Sequence, residues 1–254
     1  MTIYAVNGKE PVAAWIPSLD TAGNGTTTLT DLVGSNNGTL TNMDAATDWV
    51  ADTDAGGVRA LDCDGVNDHI VTTLLGVAGA NARTVSLWVK VATVGALVSW
   101  GGNGSTARMQ LGIAHTTNFG NTLGQPWIEI NGSLRGGGPD IRGGTWRHVV
   151  YWYNGGAITT AKIWVDGVEY AASQGVGSSV LNTTASAVTL AGNGVDNSNY
   201  AGVRLDDVRL WNVALDSTDI AYLYAGGLGR GVQPATGNPA GILQLNTQSM
   251  RFGL

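Results

Sequence analysis

Two adjacent carboxylates, Asp206 and Asp207, interrupt the strand-like run VRLDDVRLW (203–211). Carboxylates can hold a cation, work as an acid–base pair, or accept backbone N–H groups, and spacing has to choose among these. Glycoside cleavage needs two carboxyl groups roughly 5–9.5 Å apart across a sugar bond. The chain has three glutamates, Glu10, Glu129 and Glu169. Only Glu129, in WIEINGS, lies in a strand-like run, and no acidic residue stands beside it. A polysaccharide-lyase groove of His, Tyr, Arg and Gln could draw on ARMQLGIAH, where Arg108, Gln110 and Gly112 share one strand face and His115 follows in a loop. The segment DCDGVND supplies Asp62, Asp64 and Asp68 at a spacing that suggests a calcium loop, but it lacks a terminal bidentate glutamate, so a solvated turn is the plainer reading. Cys63 has no Cys or His neighbour in sequence for a zinc site or an activated thiolate. His148, in TWRHVV, reads as a strand residue, and His69 as a surface or interface position.

Binding is the other chemistry the sequence offers. Of nine tryptophans, Trp15, Trp88, Trp146, Trp152, Trp164 and Trp211 lie on strand motifs and are core candidates. Trp100 and Trp127 sit beside Gly-, Asn- and Gln-rich loops. Sugar faces stack on exposed aromatic rings while amides hold hydroxyls. Trp127 with Asn118, Asn121 and Gln125 is therefore a candidate glycan platform, and the alternative is a Trp127 packed within a sheet. The loop NGVDNSNY (193–200) is a second polar, aromatic-tipped surface of the same kind.

The elements that would position these residues are short strands. The 254-residue chain has 38 glycines spread along it and only 13% charged residues. Scattered glycine between Val-, Thr- and Trp-rich runs predicts many strands joined by tight turns. TVSLWVKV (84–91) alternates, with Val85, Leu87, Val89 and Val91 on one face. WRHVVYWYNGG (146–156) is a strand ending in a turn, and AKIWVDGVEY (161–170) is a hairpin around Asp166-Gly167. In the opening run, Val203 and Leu205 share one parity while Val208 and Leu210 share the other. One extra residue at Asp206-Asp207 restores the register, so a bulge is expected there, with one aspartate re-aimed at the kink and the other in solvent. Residues 215–227 are the best helix, capped by Asp216 or Ser217 and stopped by Gly226 and Gly227. Residues 1–12 read as an arm, 13–227 as the domain, and 228–254 as an extended tail. The pattern predicts an all-β, two-sheet antiparallel jelly-roll sandwich with one short C-terminal helix.

Several segments, in order, are similar to the concanavalin A-like, laminin-G-like jelly-roll family, bacterial and phage modules in particular. LDCDGVNDHIVT (61–72), TVSLWVKV (84–91), TWRHVVYWYNGG with AKIWVDGVEY, and YAGVRLDDVRLWNVALDSTDIAYLY carry the resemblance, preceded by AAWIPSLDTAGNG. It runs from about Trp15 to Tyr224, and His69 stands where the family has an aromatic. The resemblance implies a structural calcium ion near the bulge, which places Asp206 as a ligand and Asp20, in LDTAGNG, as a second one. The arm and tail have no counterpart in the family pattern.

Functional classes follow from what is present. Net charge is −6 and the 13 Lys and Arg are scattered, which argues against nucleic-acid binding. No run of about 18 apolar residues predicts a membrane span. One cysteine allows no intrachain disulfide, and the N-terminus does not read as a secretory signal. The expectation is a non-catalytic structural or adhesion protein, a phage capsid-decoration or tail component at the virion surface, made in the host cytoplasm. Its partners would be other virion or surface proteins reached through the arm and tail, cell-surface glycans, and further copies of itself in an oligomer or larger assembly. The alternatives are a secreted extracellular carbohydrate-binding module and a polysaccharide hydrolase or lyase.

Overall fold

A computed structural model describes residues 4–52, 58–114, 122–130 and 133–224. Their strands, in chain order, are β1 (Ala13–Trp15), β2 (Thr28–Leu29), β3 (Gly38–Thr41), β4 (Trp49–Asp52), β5 (Val58–Asp64), β6 (His69–Leu75), β7 (Arg83–Val91), β8 (Ala96–Gly101) and β9 (Arg108–Ile113). They continue with β10 (Pro126–Ile130), β11 (Ser133–Gly136), β12 (Trp146–Tyr153), β13 (Lys162–Val165), β14 (Val168–Ala171), β15 (Gln174–Val176), β16 (Ala187–Leu190) and β17 (Gly202–Trp211). One helix, α1 (Ser217–Tyr224), follows.

The strands form two antiparallel sheets. One runs β14-β13-β12-β7-β17-β5-β4, with β1 beside the second half of β17, and the other runs β15-β11-β10-β9-β8-β16-β6-β3-β2. Their inner faces meet in one apolar core. Val85, Leu87, Val89, Val149, Tyr151, Ile163 and Leu205 come from the first sheet, and Ile70, Leu97, Trp100, Met109, Leu111, Ile128 and Leu190 from the second. Period-2 alternation supplies each set, because successive side chains leave a strand on opposite faces. The result is the expected jelly-roll sandwich. The Asp166-Gly167 hairpin is also as expected: both residues have positive φ, 51° and 78°, as the tight turn that matches strand twist requires.

The bulge sits where the parity change demanded it. Against β7, the register of β17 slips between Asp206 and Arg209, and Asp207 takes a left-handed backbone with φ 50°. Val203, Leu205, Val208 and Leu210 all reach the core as a result. The solvent-facing aspartate is corrected, since both Asp206 and Asp207 are buried. Past the bulge, Arg209 points to the outer face of the sheet, and Asp207 pairs with it: Nε donates to Oδ1 at 2.5 Å and Nη2 to Oδ2 at 2.9 Å.

That outer face is covered. Val6, Trp211, Val150, Trp164, Leu215, Ile220 and Leu223 make a second apolar cluster under α1. Asp216 caps the helix by accepting the Thr218 and Asp219 N–H groups, while Asp219 Oδ2 accepts the Asp216 N–H. Lys9 pairs with both carboxylates, and Asn7 donates to Asp219. The described part of the arm therefore packs on its own domain. Gly226, Gly227 and the tail lie outside the described residues. Among the described residues, no helix is long and apolar enough to cross a membrane.

Candidate functional site

The outer face of the nine-stranded sheet carries a polar row. In β9, Met109, Leu111 and Ile113 go to the core, which turns Arg108, Gln110 and Gly112 outward; in β10, Ile128 and Ile130 do the same for Trp127 and Glu129. The register sets Glu129 opposite Gln110, Gln110 opposite Ser99, and Ser99 opposite Thr189. Four neighbouring strands thus place Glu129, Gln110, Ser99 and Thr189 in line.

A loop straps this row. Ser99 Oγ donates to the Gly192 carbonyl at 2.8 Å and accepts the Gly194 N–H at 2.9 Å. A Cβ on Gly194 would lie 2.0 Å from Thr189 Oγ1, so only glycine allows this approach. Asn193 and Ser198 pair across the loop, and Asn197 and Asn199 hold positive φ of 50° and 54°, which asparagine tolerates better than most residues. Tyr200 closes the loop against the His69 ring, centroids 5.3 Å apart. His69 is buried there, which corrects the surface half of the surface-or-interface expectation.

Arg108 connects row and loop. Its Nη2 donates to Glu129 Oε1 at 2.7 Å and its Nη1 to Asp196 Oδ2 at 3.3 Å. One guanidinium between two carboxylates leaves the cluster with a net negative charge. Two polar atoms here are buried without a hydrogen-bond partner among the described residues: Arg108 Nε, a donor, and Gln110 Oε1, an acceptor. Gln110 is only 1% exposed. An orphaned acceptor at such a site costs free energy unless something else donates to it.

The sequence-predicted residues divide sharply. Arg108, Gln110 and Glu129, weighed separately as lyase and hydrolase candidates, come together, and Asp196 joins them from the 193–200 loop. The Trp127 platform is corrected. Trp127 is 2% exposed and Gln125 is fully buried, because β10 lies inside the sheet and the Trp127 ring passes over the bare Cα of Gly112. A covered ring offers no stacking face. Asn118, Asn121 and His115 lie outside the described residues.

The two residues expected to hold calcium each accept backbone N–H groups. Asp206 Oδ1 accepts the Ser18 N–H at 3.0 Å, and Asp20 accepts the N–H groups of Gly23 at 2.7 Å and Thr30 at 2.6 Å. Calcium takes about six to eight oxygen ligands. No group of three or more His, Cys, Asp or Glu side chains among the described residues is arranged for a metal. Through these bonds the two aspartates clamp the loop after β1. Dialysis against EDTA should leave the melting temperature within about 1 °C. A larger drop, reversed by calcium and absent in Asp206→Ala, would restore the ion. Elsewhere, Asp64 accepts the N–H groups of Val66, Asn67 and Asp68, which hold its carboxyl below the usual range. Residues 64–68 form a self-bonded turn, while Asp62 remains in β5 and pairs with Arg204. Cys63 is buried, and burial followed by the Asp68 charge raises its thiol well above the ordinary value, so no thiolate chemistry is available.

The Laminin_G_3 family, described as the concanavalin A-like lectin/glucanases superfamily, matches residues 64–221. The chain belongs to this family. Among solved structures, this Laminin_G_3 domain is similar to domain 4 of AbnA, a GH43 extracellular arabinanase from Geobacillus stearothermophilus, in complex with arabinotriose. TM-score there is 0.60 and identity 20%, over 85% of this chain and 98% of that one. It is also similar to the binding domain of Paraclostridial Mosquitocidal Protein 1, with TM-score 0.56 and 14% identity, over 87% of this chain and 53% of that one. A third is Trypanosoma rangeli sialidase, with TM-score 0.55 and 14% identity, over 84% of this chain. The Laminin_G_3 domain spans about a third of the sialidase, 32% of its length. At these identities the likeness is one of fold. No curated protein sequence matches the chain.

Proposed function

We propose that this Laminin_G_3 domain is a non-catalytic glycan-binding adhesion module, and that it binds on the strapped outer face of the nine-stranded sheet. One observation carries the reading: the Glu129 and Asp196 carboxylates, with side chains 22% and 40% exposed, flank Arg108 on this face and can accept from sugar hydroxyls. The relatives agree in kind, since one is an arabinanase domain complexed with arabinotriose and another is a toxin binding domain. Glu129 and Asp196 are both paired with Arg108, which holds the two carboxylates in an ion-pair network rather than leaving them free for acid–base work, and this favours binding over hydrolysis.

The relatives named above do not support a virion setting. The adhesion half of the expectation is the half we retain, at a virion or an extracellular surface alike.

A glycan array probed with the purified full chain, followed by titration of the best binder, tests the proposal. Asp196→Ala, at a side chain 40% exposed, should weaken binding about tenfold, the loss of roughly one hydrogen bond, while the melting temperature holds. Equal binding by wild type and variant, or release of reducing ends from the bound glycan, would contradict it.

A further inference from the structure

We infer that Ser99 is the positioning residue of this site: it seats the 192–200 loop on the sheet, and the seat fixes where Asp196 stands. The inference rests on the glycan-binding reading above. The loop is built to stay or lift as one piece. Its neck is closed where the Ala201 N–H donates to the Ala191 carbonyl at 3.0 Å. Its tip is bonded to itself. Asn193 and Ser198 exchange backbone bonds of 2.9 and 3.3 Å, the Val195 N–H donates to Asn193 Oδ1 at 3.1 Å, and the Ser198 hydroxyl donates to Asp196 Oδ1. A surface loop with joined ends and its own internal bonds keeps its shape whether or not it touches the sheet.

Contact between loop and sheet therefore sets the geometry of the site. Glu129 belongs to β10 and stays in place without the loop. Asp196 rides on the loop and meets Arg108 at 3.3 Å, against 2.7 Å for Glu129, so the loop carries the looser of the two carboxylates. The firmer hold on the loop is at Ser99. Its side chain is fully buried on β8, and its hydroxyl takes the Gly194 N–H at 2.9 Å and gives to the Gly192 carbonyl at 2.8 Å. Without that hydroxyl, both backbone groups are unpaired while the loop is down and hydrated once it lifts, which favours lifting. Ser99 itself touches no ligand. It holds a carboxylate ready in advance, and such preorganisation raises affinity by removing an ordering cost from binding. Ala96, also on β8, reports the seat independently, because its N–H donates to the Asn199 carbonyl at 2.8 Å.

Two substitutions in the full chain lift the loop by different means. Ser99→Ala removes the pin. Gly194→Ala keeps the pin and drives a Cβ to 2.0 Å from Thr189 Oγ1. Amide hydrogen exchange at Ala96 reads the seat, with Leu111 in the β9 ladder as the reference for global opening. Titration of the best array binder reads affinity. In each variant, exchange at Ala96 should speed up by about tenfold or more and binding should weaken about tenfold, while Leu111 is unchanged. Apparent Kd is the intrinsic Kd divided by the seated fraction, so a tenfold loss corresponds to about a tenth of the loops seated, and protection at Ala96 must report that same fraction. Saturating glycan should restore the protection. Weakened binding with Ala96 still protected, or a freed Ala96 with affinity unchanged, would overturn the positioning role while leaving glycan binding intact. A wild type that binds no glycan would overturn the glycan reading and this inference with it.

Discussion

Asp207→Asn should lower the unfolding free energy by about 3–5 kcal/mol, as expected when one member of a buried ion pair is removed. Asp207 and Arg209 side chains are 4% and 3% exposed, and both guanidinium contacts go to the two carboxylate oxygens. Burial is imposed by the covering layer: Arg209 lies close enough to Tyr4, Tyr222 and His148 to act on their ionisation. Without Asp207, a full positive charge stays under that layer with no counter-charge. Asparagine is the informative replacement because it tolerates the left-handed backbone at this position, whereas alanine would add strain. The partner control is Asp207→Asn combined with Arg209→Met, which removes both charges and should recover most of the loss. Urea unfolding at pH 7 reads all three proteins. A loss below about 1 kcal/mol for Asp207→Asn would show that the pair contributes little, and that the bulge needs only its backbone.

Acid should destabilise the fold through His148 before the general titration of carboxylates does. The imidazole is buried between strands β7 and β13, with Nε2 2.8 Å from Ser86 Oγ, and with the Trp88 and Tyr224 rings at 5.3 and 5.9 Å. Burial, and then the positive charge of Arg209, push its pKa down to about 3 from an ordinary 6.5. Nδ1 has no partner among the described residues, so nothing there rewards protonation. The folded-state pKa lies below the unfolded one, so the unfolded chain binds the proton first as pH falls. Stability from this group is complete above pH 6.5 and is lost progressively between 6.5 and 3, by on the order of 4–5 kcal/mol at the acid end. His148→Gln does not titrate and can still meet Ser86. Its stability should fall less steeply than that of wild type across pH 6.5–4, the two curves converging as pH drops. Parallel curves would mean that His148 is protonated in the native state after all.

Much of the fold could be read from the chain because it rests on parity. The mismatch between Val203/Leu205 and Val208/Leu210 required one extra residue, and the register slip occurs at that point. The Asp-Gly hairpin and the Asp216 cap were equally legible, since each depends on neighbours in sequence. What could not be read is what covers an outward face. Trp127 alternates correctly as an outward residue, and its burial comes from Gly112 on the next strand and the surrounding chain, contacts invisible to local pattern. The aspartates of the bulge followed the same logic. A carboxylate at a strand kink reads as solvated until its cover is known, and here Arg209 closes over Asp207.

The candidate site was half visible. The shared face of Arg108, Gln110 and Gly112 followed from alternation, and the 193–200 loop was marked by its asparagines. Their union was not visible, because Asp196 lies 88 positions from Arg108 and meets it only through the Ser99 strap. Ser99 and Thr189 carried no signal of their own; a serine and a threonine in apolar strands are common. The calcium expectation came from resemblance, and residue types alone do not show that three N–H groups already occupy those carboxylates.

The most direct test of glycan adhesion follows the Gln110 side-chain amide by NMR as the best array binder is titrated into the full chain. The account predicts that this amide pair, with the Arg108 Nε–H signal and the backbone of Gly194, shifts in step with ligand, while signals from α1 stay in place. Shifts confined to α1 and its apolar cluster, with the Gln110 amide unmoved at saturation, would contradict it.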